Sequence, residues 1–459
     1  MAFFKSRENP RTASEVTKKW LEVVLSQYES KTCPGSIVEV TSFKVNPGCS
    51  KGDNFSSDVM RIVTEAQVTH LHGTPSSTRH SFVAKFLAGS EGEQEALKVI
   101  GTPKMELLTL SQVLPAFNAF QKDRGDKYRI NVPEHVYSVC GVGEYVLMMQ
   151  DLREAGFQME DKRRGLNLSQ LKTAVLHMAR FHAVSYAFSR THEFLVKYPD
   201  FKEKPIISGS YVVIARIVIE GLQDALRGRE EEFPGLLETL TANKNTLVGK
   251  MKDVVSVSGK EPVVCLCHGD FWTNNIMFKY DEGGAVKDFA MIDWGAAAWR
   301  SPVTDLQYLI YTSTLQDLRR DHLKEVQMLY YDTITSAAAD LDVPLTHWSF
   351  DDFVAEWRRT AVMGMVYGIM VNLISLSKFG RKLHHGTLTT GFTSWLKTVF
   401  GRMMMSIFMG PWMLKYTYQH FKMEFKDLFD DLASINNHEM TTRIMDLLNE
   451  AHRCGVLDS

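Results

Sequence analysis

Between Ser14 and Gln27, apolar Val16, Trp20, Leu21, Val23, Val24 and Leu25 fall near helical spacing, and Ser14 can cap the first turn. The pattern predicts a leading helix. Three short runs rich in β-branched and aromatic residues follow: Ile37 to Val45, Val59 to Val68 and Ser81 to Leu87, broken by turns containing Gly and Pro. They predict antiparallel strands. Met105 to Phe117 is helical in period and is expected to end near Pro115, whereas His135 to Met149 reads as two more strands joined around Gly141 and Gly143. The first part of the chain is therefore expected to hold five strands, with one helix inserted after the third. From Leu168 the period is helical, and Leu171, Val175, Leu176, Met178 and Phe181 form an apolar stripe. Strand character returns only in Val263 to Asp270, Ile276 to Tyr280 and Phe289 to Asp293, before further long helices. The fold class is α+β: a small antiparallel β-rich lobe over residues 1–150, then a large, mainly helical lobe over residues 151–459. Asp151 to Gly156 is the expected crossing.

Composition narrows the function classes. The 459 residues are 44% hydrophobic and 23% charged, as in a soluble globular protein of two or three lobes. With 52 Lys and Arg against 54 Asp and Glu, the chain carries no global charge for nucleic acid or an anionic membrane. A phosphate site must be local. The six cysteines are scattered, and the close pair Cys265 and Cys267 has the CxC spacing rather than CxxC. We read them as packing residues in a reducing compartment. The N-terminus lacks the apolar run of a signal peptide. Ala361 to Ser377 carries no charge, yet it is short for a membrane span and contains Asn372 and two glycines, so a buried helix is expected. No membrane span and a cytoplasmic location follow as expectations.

Cys267 to Phe278, CHGDFWTNNIMF, carries the strongest chemical signal. Its polar centre lies between two apolar strands, which places it on a firmly held loop. Asp270 and Asn275, five positions apart, can serve as proton acceptor for an attacking hydroxyl and as ligand for a magnesium ion on phosphates. A second carboxylate for the metal comes at the end of the next apolar strand, Asp293 in FAMID, beyond the turn Asp281 to Gly284.

His268, Asp270 and Asn275 match H-x-D-x(4)-N, the catalytic-loop spacing of eukaryotic protein kinases, in the HGD form of aminoglycoside phosphotransferases and choline kinases. More narrowly, HGDFWTNNIMFKYD, then MIDW, then SPVTDLQYLIYTS (Ser301 to Ser313) resembles the arthropod ecdysteroid kinase-like family, also called CHK kinase-like. The resemblance extends over nearly the whole chain. It implies a bilobal protein-kinase-like fold, with ATP and Mg2+ as cofactors.

Residue by residue, the resemblance implies that Asp270 is the catalytic base and that Asn275 and Asp293 hold the metal. GDNFSS stands where the family has a Gly-Glu-Asn-Tyr-type loop, so Gly52, Asn54, Ser56 and Ser57 are expected at the phosphates. Lys85 would grip the α- and β-phosphates, with Glu106 as its helix partner, and Met149, Gln150, Asp151 and Leu152 would line the adenine through backbone groups. His268 and Asp305 are expected to support the loop. His182 reads as a packed, hydrogen-bonded histidine, and Trp272 either lines the acceptor pocket or packs into the lobe. Trp294 and Gly295 replace the Phe-Gln of many relatives, which can reshape the wall beside the metal. The expected activity is phosphate transfer to a small-molecule alcohol, an ecdysteroid or other steroid-type alcohol first. A choline or ethanolamine kinase and a non-catalytic nucleotide-binding regulator remain alternatives. A protein kinase is disfavoured, because no Ala-Pro-Glu segment follows Asp293 and the stretch to Asp305 is too short for a peptide-docking loop.

Overall fold

A computed structural model of the chain describes residues 9–48, 57–70, 73–87, 101–141, 144–202, 205–259, 261–376, 429, 432 and 438–458. Helix α1 spans Lys18–Glu29. Its cap is Thr17, whose hydroxyl accepts the Trp20 N–H at 3.2 Å, and not Ser14. Ser14 instead lies in a separate short turn, Ala13–Glu15. Five antiparallel strands, β1 (Ile37–Pro47), β2 (Ser57–Thr69), β3 (Ser76–Leu87), β4 (His135–Gly141) and β5 (Glu144–Gln150), form one sheet in the order β1-β2-β3-β5-β4.

Strand periodicity decides which residues face the site. Along β5, Val146 and Met148 pack under α1 with Trp20, Leu21, Val24 and Leu25. Tyr145, Leu147 and Met149 enter the large core shared with the helical part. On β3, Phe82, Ala84 and Phe86 take the α1 side, so Lys85 points to the opposite face. A one-residue slip in register would put the lysine under α1.

The inserted helix runs further than the sequence implies. α2 (Thr102–Leu108) leads through a π-helical turn, Thr109–Val113, into α3 (Leu114–Lys122). Pro115 therefore does not end the helix. The wider turn just before it accommodates a ring that lacks an N–H and would clash in a regular α-helical interior.

The helical part holds α4 (Leu168–His192), α5 (Pro205–Leu226), α6 (Leu236–Val255), α7 (Val303–Ser313), α8 (Gln316–Asp340), α9 (Phe350–Leu376) and α10 (His438–Arg453). α4 packs on α8, α5 on α6, and α9 on both α7 and α10. Asn167 and Gln170 start α4 with a reciprocal capping box. α9 is the expected uncharged helix. It is long and apolar enough to cross a membrane, but 78% of its most apolar window is buried inside the protein.

Two small sheets carry the motif loop: β7 (Cys265–Cys267) pairs with β10 (Ala298–Arg300), and β8 (Ile276–Tyr280) lies between β6 (Phe157–Gln158) and β9 (Val286–Met291). β6 and β10 have no sequence signal, being only 2 and 3 residues long. The strand expected over Val263 to Asp270 is likewise only Cys265–Cys267, because the chain turns at His268 to build the loop.

Candidate active site

The loop after β7 is shaped by one glycine and one buried aspartate. Gly269 has φ +81°, and a Cβ there would fall 2.1 Å from the Ala296 carbonyl oxygen, so only glycine fits. Asp305, near the start of α7, accepts the His268 N–H at 2.6 Å on Oδ2 and the Gly269 N–H at 2.9 Å on Oδ1. His182 on α4 reaches Asp305 Oδ2 through Nε2 at 3.1 Å, and its Nδ1 meets the Tyr330 hydroxyl at 2.9 Å. Burial alone would push His182 down, but Asp305 and Cys267 lift it to about 9. Asp305 is held below the ordinary aspartate value by His182, by His268 and by the loop N–H of Gly269, against the opposing effect of burial. His268 completes the brace. Its Nε2 lies 2.9 Å from the Ile292 carbonyl, while its Nδ1 accepts the Asp270 N–H at 3.4 Å.

This brace presents a partly exposed Asp270 and fixes Asn275 against it, with Asn275 Nδ2 donating to Asp270 O and Oδ2, both at 2.8 Å. The Tyr308 hydroxyl, one helical turn beyond Asp305 on α7, stands near the Asp270 carboxylate and favours its ionised form. Burial raises Asp270 above the usual aspartate value, and Tyr308 and Asn275 oppose that rise.

Two residues beyond β9, Asp293 stands at φ +64°, a left-handed conformation uncommon outside glycine. Its carboxylate, 28% exposed, reaches Lys85 Nζ at 3.3 Å. Lys85 and Glu106 are 2.6 Å apart and nearly buried, at 6% and 5% exposure. The Trp294 backbone N–H and the Tyr145 hydroxyl also stand near Glu106. Burial opposes the charged lysine, but Asp293 and Glu106 outweigh it and raise its affinity for a proton. One buried cation thus holds together α2, β3 and the end of the β9 segment.

The ecdysteroid kinase-like family profile matches residues 51–343 of the 459. The chain belongs to that family. Its fold is that of a small-molecule-kinase-like phosphotransferase, with an antiparallel sheet followed by a mostly helical remainder. No curated protein sequence matches it significantly. Similar solved structures include a GDP complex of wild-type aminoglycoside 2′-phosphotransferase-IIIa, at 13% identity and TM-score 0.37, covering 83% of this chain and 98% of that one. Another is choline kinase LicA from Streptococcus pneumoniae, at 14% identity and TM-score 0.29, covering 76% of this chain and 100% of the other. A third, an aminoglycoside phosphotransferase from Streptomyces rimosus with ADP and streptomycin, shares 16% identity at TM-score 0.30, over 63% and 90% of the two chains.

The residues expected at the nucleotide are placed unequally. Gly52, Asn54 and Ser56 lie outside the described residues. Ser57 opens β2, paired with Leu87. At the crossing, the Gln150 N–H donates to Glu134 O at 2.9 Å and the Asp151 N–H to Ser81 O at 3.2 Å. These two groups are already engaged, so neither can donate to a base, which narrows the expected backbone contact at Met149, Gln150, Asp151 and Leu152. The Asp151 side chain is an anchor that the sequence did not announce: it binds Arg61 Nε at 2.6 Å, Ser81 Oγ at 3.0 Å and Arg153 Nε at 2.8 Å. Arg153 in turn donates to Gly48 O at 2.7 Å, tying the crossing to the end of β1.

Several further placements bear on the chemistry. Trp272 is 9% exposed and belongs to the main core, the packing alternative of the two expected. Trp294 is fully buried between Phe181 and His268, and Gly295 sits against Thr102 at the start of α2, where a Cβ would lie 2.5 Å from Cγ2. His182, Cys265 and Cys267 bring their ligand-type atoms within 4.8 Å of one another, all buried. Both nitrogens of His182 are already hydrogen-bonded, so the trio offers no imidazole lone pair to a metal. Tyr145, beside Glu106, carries no motif that marks it in the sequence, and Tyr308, beside Asp270, lies within SPVTDLQYLIYTS without being singled out there. The one signal for Tyr308 is its i+3 spacing from Asp305.

Proposed function

We propose that this protein is an ATP- and magnesium-dependent kinase that transfers the γ-phosphoryl group to a hydroxyl of a small acceptor, with a steroid-type alcohol such as an ecdysteroid as the leading candidate. The observation that carries the reading is the convergence of two charged clusters. Lys85 with Glu106 stands beside Asp293, and Asp270 is fixed by Asn275 on the loop braced to the Asp293 segment through Ile292. Family membership supports the same chemistry.

In this reading Lys85, held by Glu106, meets the non-transferred phosphates, and Asp270 orients the acceptor hydroxyl and takes its proton as the new O–P bond forms and the bond to the β-phosphate oxygen breaks. A carboxylate raised by burial is a better proton acceptor than an exposed one. The donor set suits magnesium. Asp293 offers a partly exposed carboxylate, and Asn275 spends its Nδ2 on Asp270, leaving the amide oxygen for a hard cation. Bound there, the ion would neutralise charge on the phosphates.

A purely structural role for this constellation, as in a nucleotide-binding regulator, would not require a partly exposed carboxylate beside the phosphate-gripping lysine. The test is ATP consumption by the full chain with a panel of hydroxylated steroids and amino alcohols, compared with Asp270→Ala. Full activity of Asp270→Ala on the acceptor that wild type uses would refute the base role. ATP-induced thermal stabilisation without turnover on any acceptor would favour the regulator.

A further inference from the structure

On the Tyr308 side of Asp270, three helices and one strand bring together a group of polar aromatics around one cation. Tyr308 of α7, near Asp270, has its ring 5.1 Å from that of Tyr367 on α9, which is 5.5 Å from Tyr211 on α5. The guanidinium of Arg300 on β10 lies 5.3 Å over the Tyr211 ring, with Nη1 3.5 Å from its hydroxyl. All four are nearly buried, Tyr308 at 5%, Tyr367 at 6%, Tyr211 at 9% and Arg300 at 4% exposure.

Arg300 makes no ion pair among the described residues; the Asp305 carboxylate acts on it only from beyond ion-pair distance and is already engaged by His182 and the His268 and Gly269 N–H groups. Arg319, buried to the same degree at 3%, pairs with Glu450 at 2.8 Å. A guanidinium cannot shed its proton, so its burial carries a desolvation penalty that a ring face, one long hydrogen bond and the more distant Asp305 offset only in part. Its planar fork matches two lone pairs on an oxygen-bearing group. The arrangement runs from the proposed base to the cation through an aromatic wall, which suits an acceptor with an apolar skeleton, a hydroxyl at one end and an acceptor oxygen at the other.

We propose that Arg300 is the acceptor-selecting residue of this site: it binds a carbonyl oxygen, neutral or as a carboxylate, on the alcohol whose hydroxyl reaches Asp270, and its fixed charge rejects cationic amino alcohols. This rests on the kinase reading above and adds to it the charge class of the acceptor.

The experiment follows ATP consumption by the full-length protein with a hydroxylated steroid ketone, a hydroxylated steroid carboxylate and choline. Wild type is expected to turn over the ketone or the carboxylate, the faster one identifying which form of the group is bound, and to leave choline untouched. Arg300→Met should raise the acceptor KM on the order of 10- to 100-fold, the loss of one charge-assisted pair. The KM for ATP should stay at the wild-type value. Arg300→Lys keeps the charge without the fork, and should give a smaller rise in acceptor KM. It also serves if Arg300→Met fails to fold, as read from thermal melting. Choline turnover equal to or above that of both oxygen-bearing steroids overturns the proposal, as does an unchanged acceptor KM in folded Arg300→Met, or in Arg300→Lys if Arg300→Met does not fold. If wild type consumes ATP with none of the three nor with any other alcohol, the kinase reading itself fails, an outcome distinct from activity that ignores Arg300.

Discussion

Replacing Tyr308 with phenylalanine removes one hydroxyl and little volume, and tests whether the loop sets the proton affinity of Asp270. Burial raises that affinity, whereas the Tyr308 hydroxyl favours the ionised form and lowers it. A hydrogen bond to a charged group contributes about 1.5–3 kcal/mol, and one pKa unit corresponds to about 1.4 kcal/mol, so the upper limit for losing it is a rise of about one to two units. Asp270 is partly exposed and water can replace some of the lost bond, which brings the expected rise to about one unit. The sign is fixed by the chemistry: the base must be ionised, so kcat/KM falls as pH drops through its pKa. The Tyr308→Phe variant should therefore meet that fall at higher pH, with about a tenfold deficit below the acid limb and little change well above it. The assay is kcat/KM for the active acceptor between about pH 4 and pH 8, with thermal melting as the control for folding. An acid limb at the wild-type position, or a uniform loss across the whole range, would show that Tyr308 only packs.

The remaining expectations concern the scaffold. Gly269→Ala forces a side chain into left-handed backbone and onto the Ala296 carbonyl, so it should cost more than the ~1–2 kcal/mol of the backbone conformation alone and lower both the melting temperature and kcat; wild-type melting would contradict the geometry. Lys85→Met leaves Glu106 buried without its cation and should cost about 3–5 kcal/mol in denaturant unfolding while weakening ATP binding. A change below about 1 kcal/mol would mean that Tyr145 and the Trp294 N–H hold Glu106 unaided. For the His182–Asp305 pair, the folded histidine value of about 9 lies above its ordinary 6.5, so its contribution is complete below about pH 6.5 and is lost as pH rises through 9. Urea unfolding should therefore show stability falling between those values, by on the order of 3 kcal/mol at most. Asp305→Asn should flatten that slope and lower stability at neutral pH; an unchanged slope would locate the titration elsewhere.

How much of this is legible in the sequence depends on the range of the interaction. The β-branched and aromatic content of Ser81 to Leu87 and of His135 to Met149 predicts strands, but only the observed packing shows which face Lys85 takes. The H-x-D-x(4)-N spacing puts Asp270 and Asn275 on one loop, because their contact is local, within five residues. The family resemblance points to Glu106 as the helix partner, and it lies 2.6 Å from Lys85. Thr17 displaces Ser14 as the cap because several hydroxyls compete within one turn, and Pro115 stays inside a helix because a π turn absorbs its ring. Neither outcome can be read from period alone.

The sequence by itself determined the element types, the order of sheet before helices, and the acid and amide of the loop, since propensity, periodicity and short spacing act between neighbours. Only the tertiary structure decided that Tyr308 stands by Asp270, that Tyr145 and the Trp294 backbone stand by Glu106, and that Arg300 is buried against Tyr211, at the end of a row of three tyrosines. Those contacts join segments tens to hundreds of residues apart. The packing of α5, α7 and α9 fixes the Tyr308 and Arg300 contacts, and the meeting of α2, β5 and the segment after β9 fixes those of Glu106; burial then gives each charge its altered proton affinity and its need for a partner.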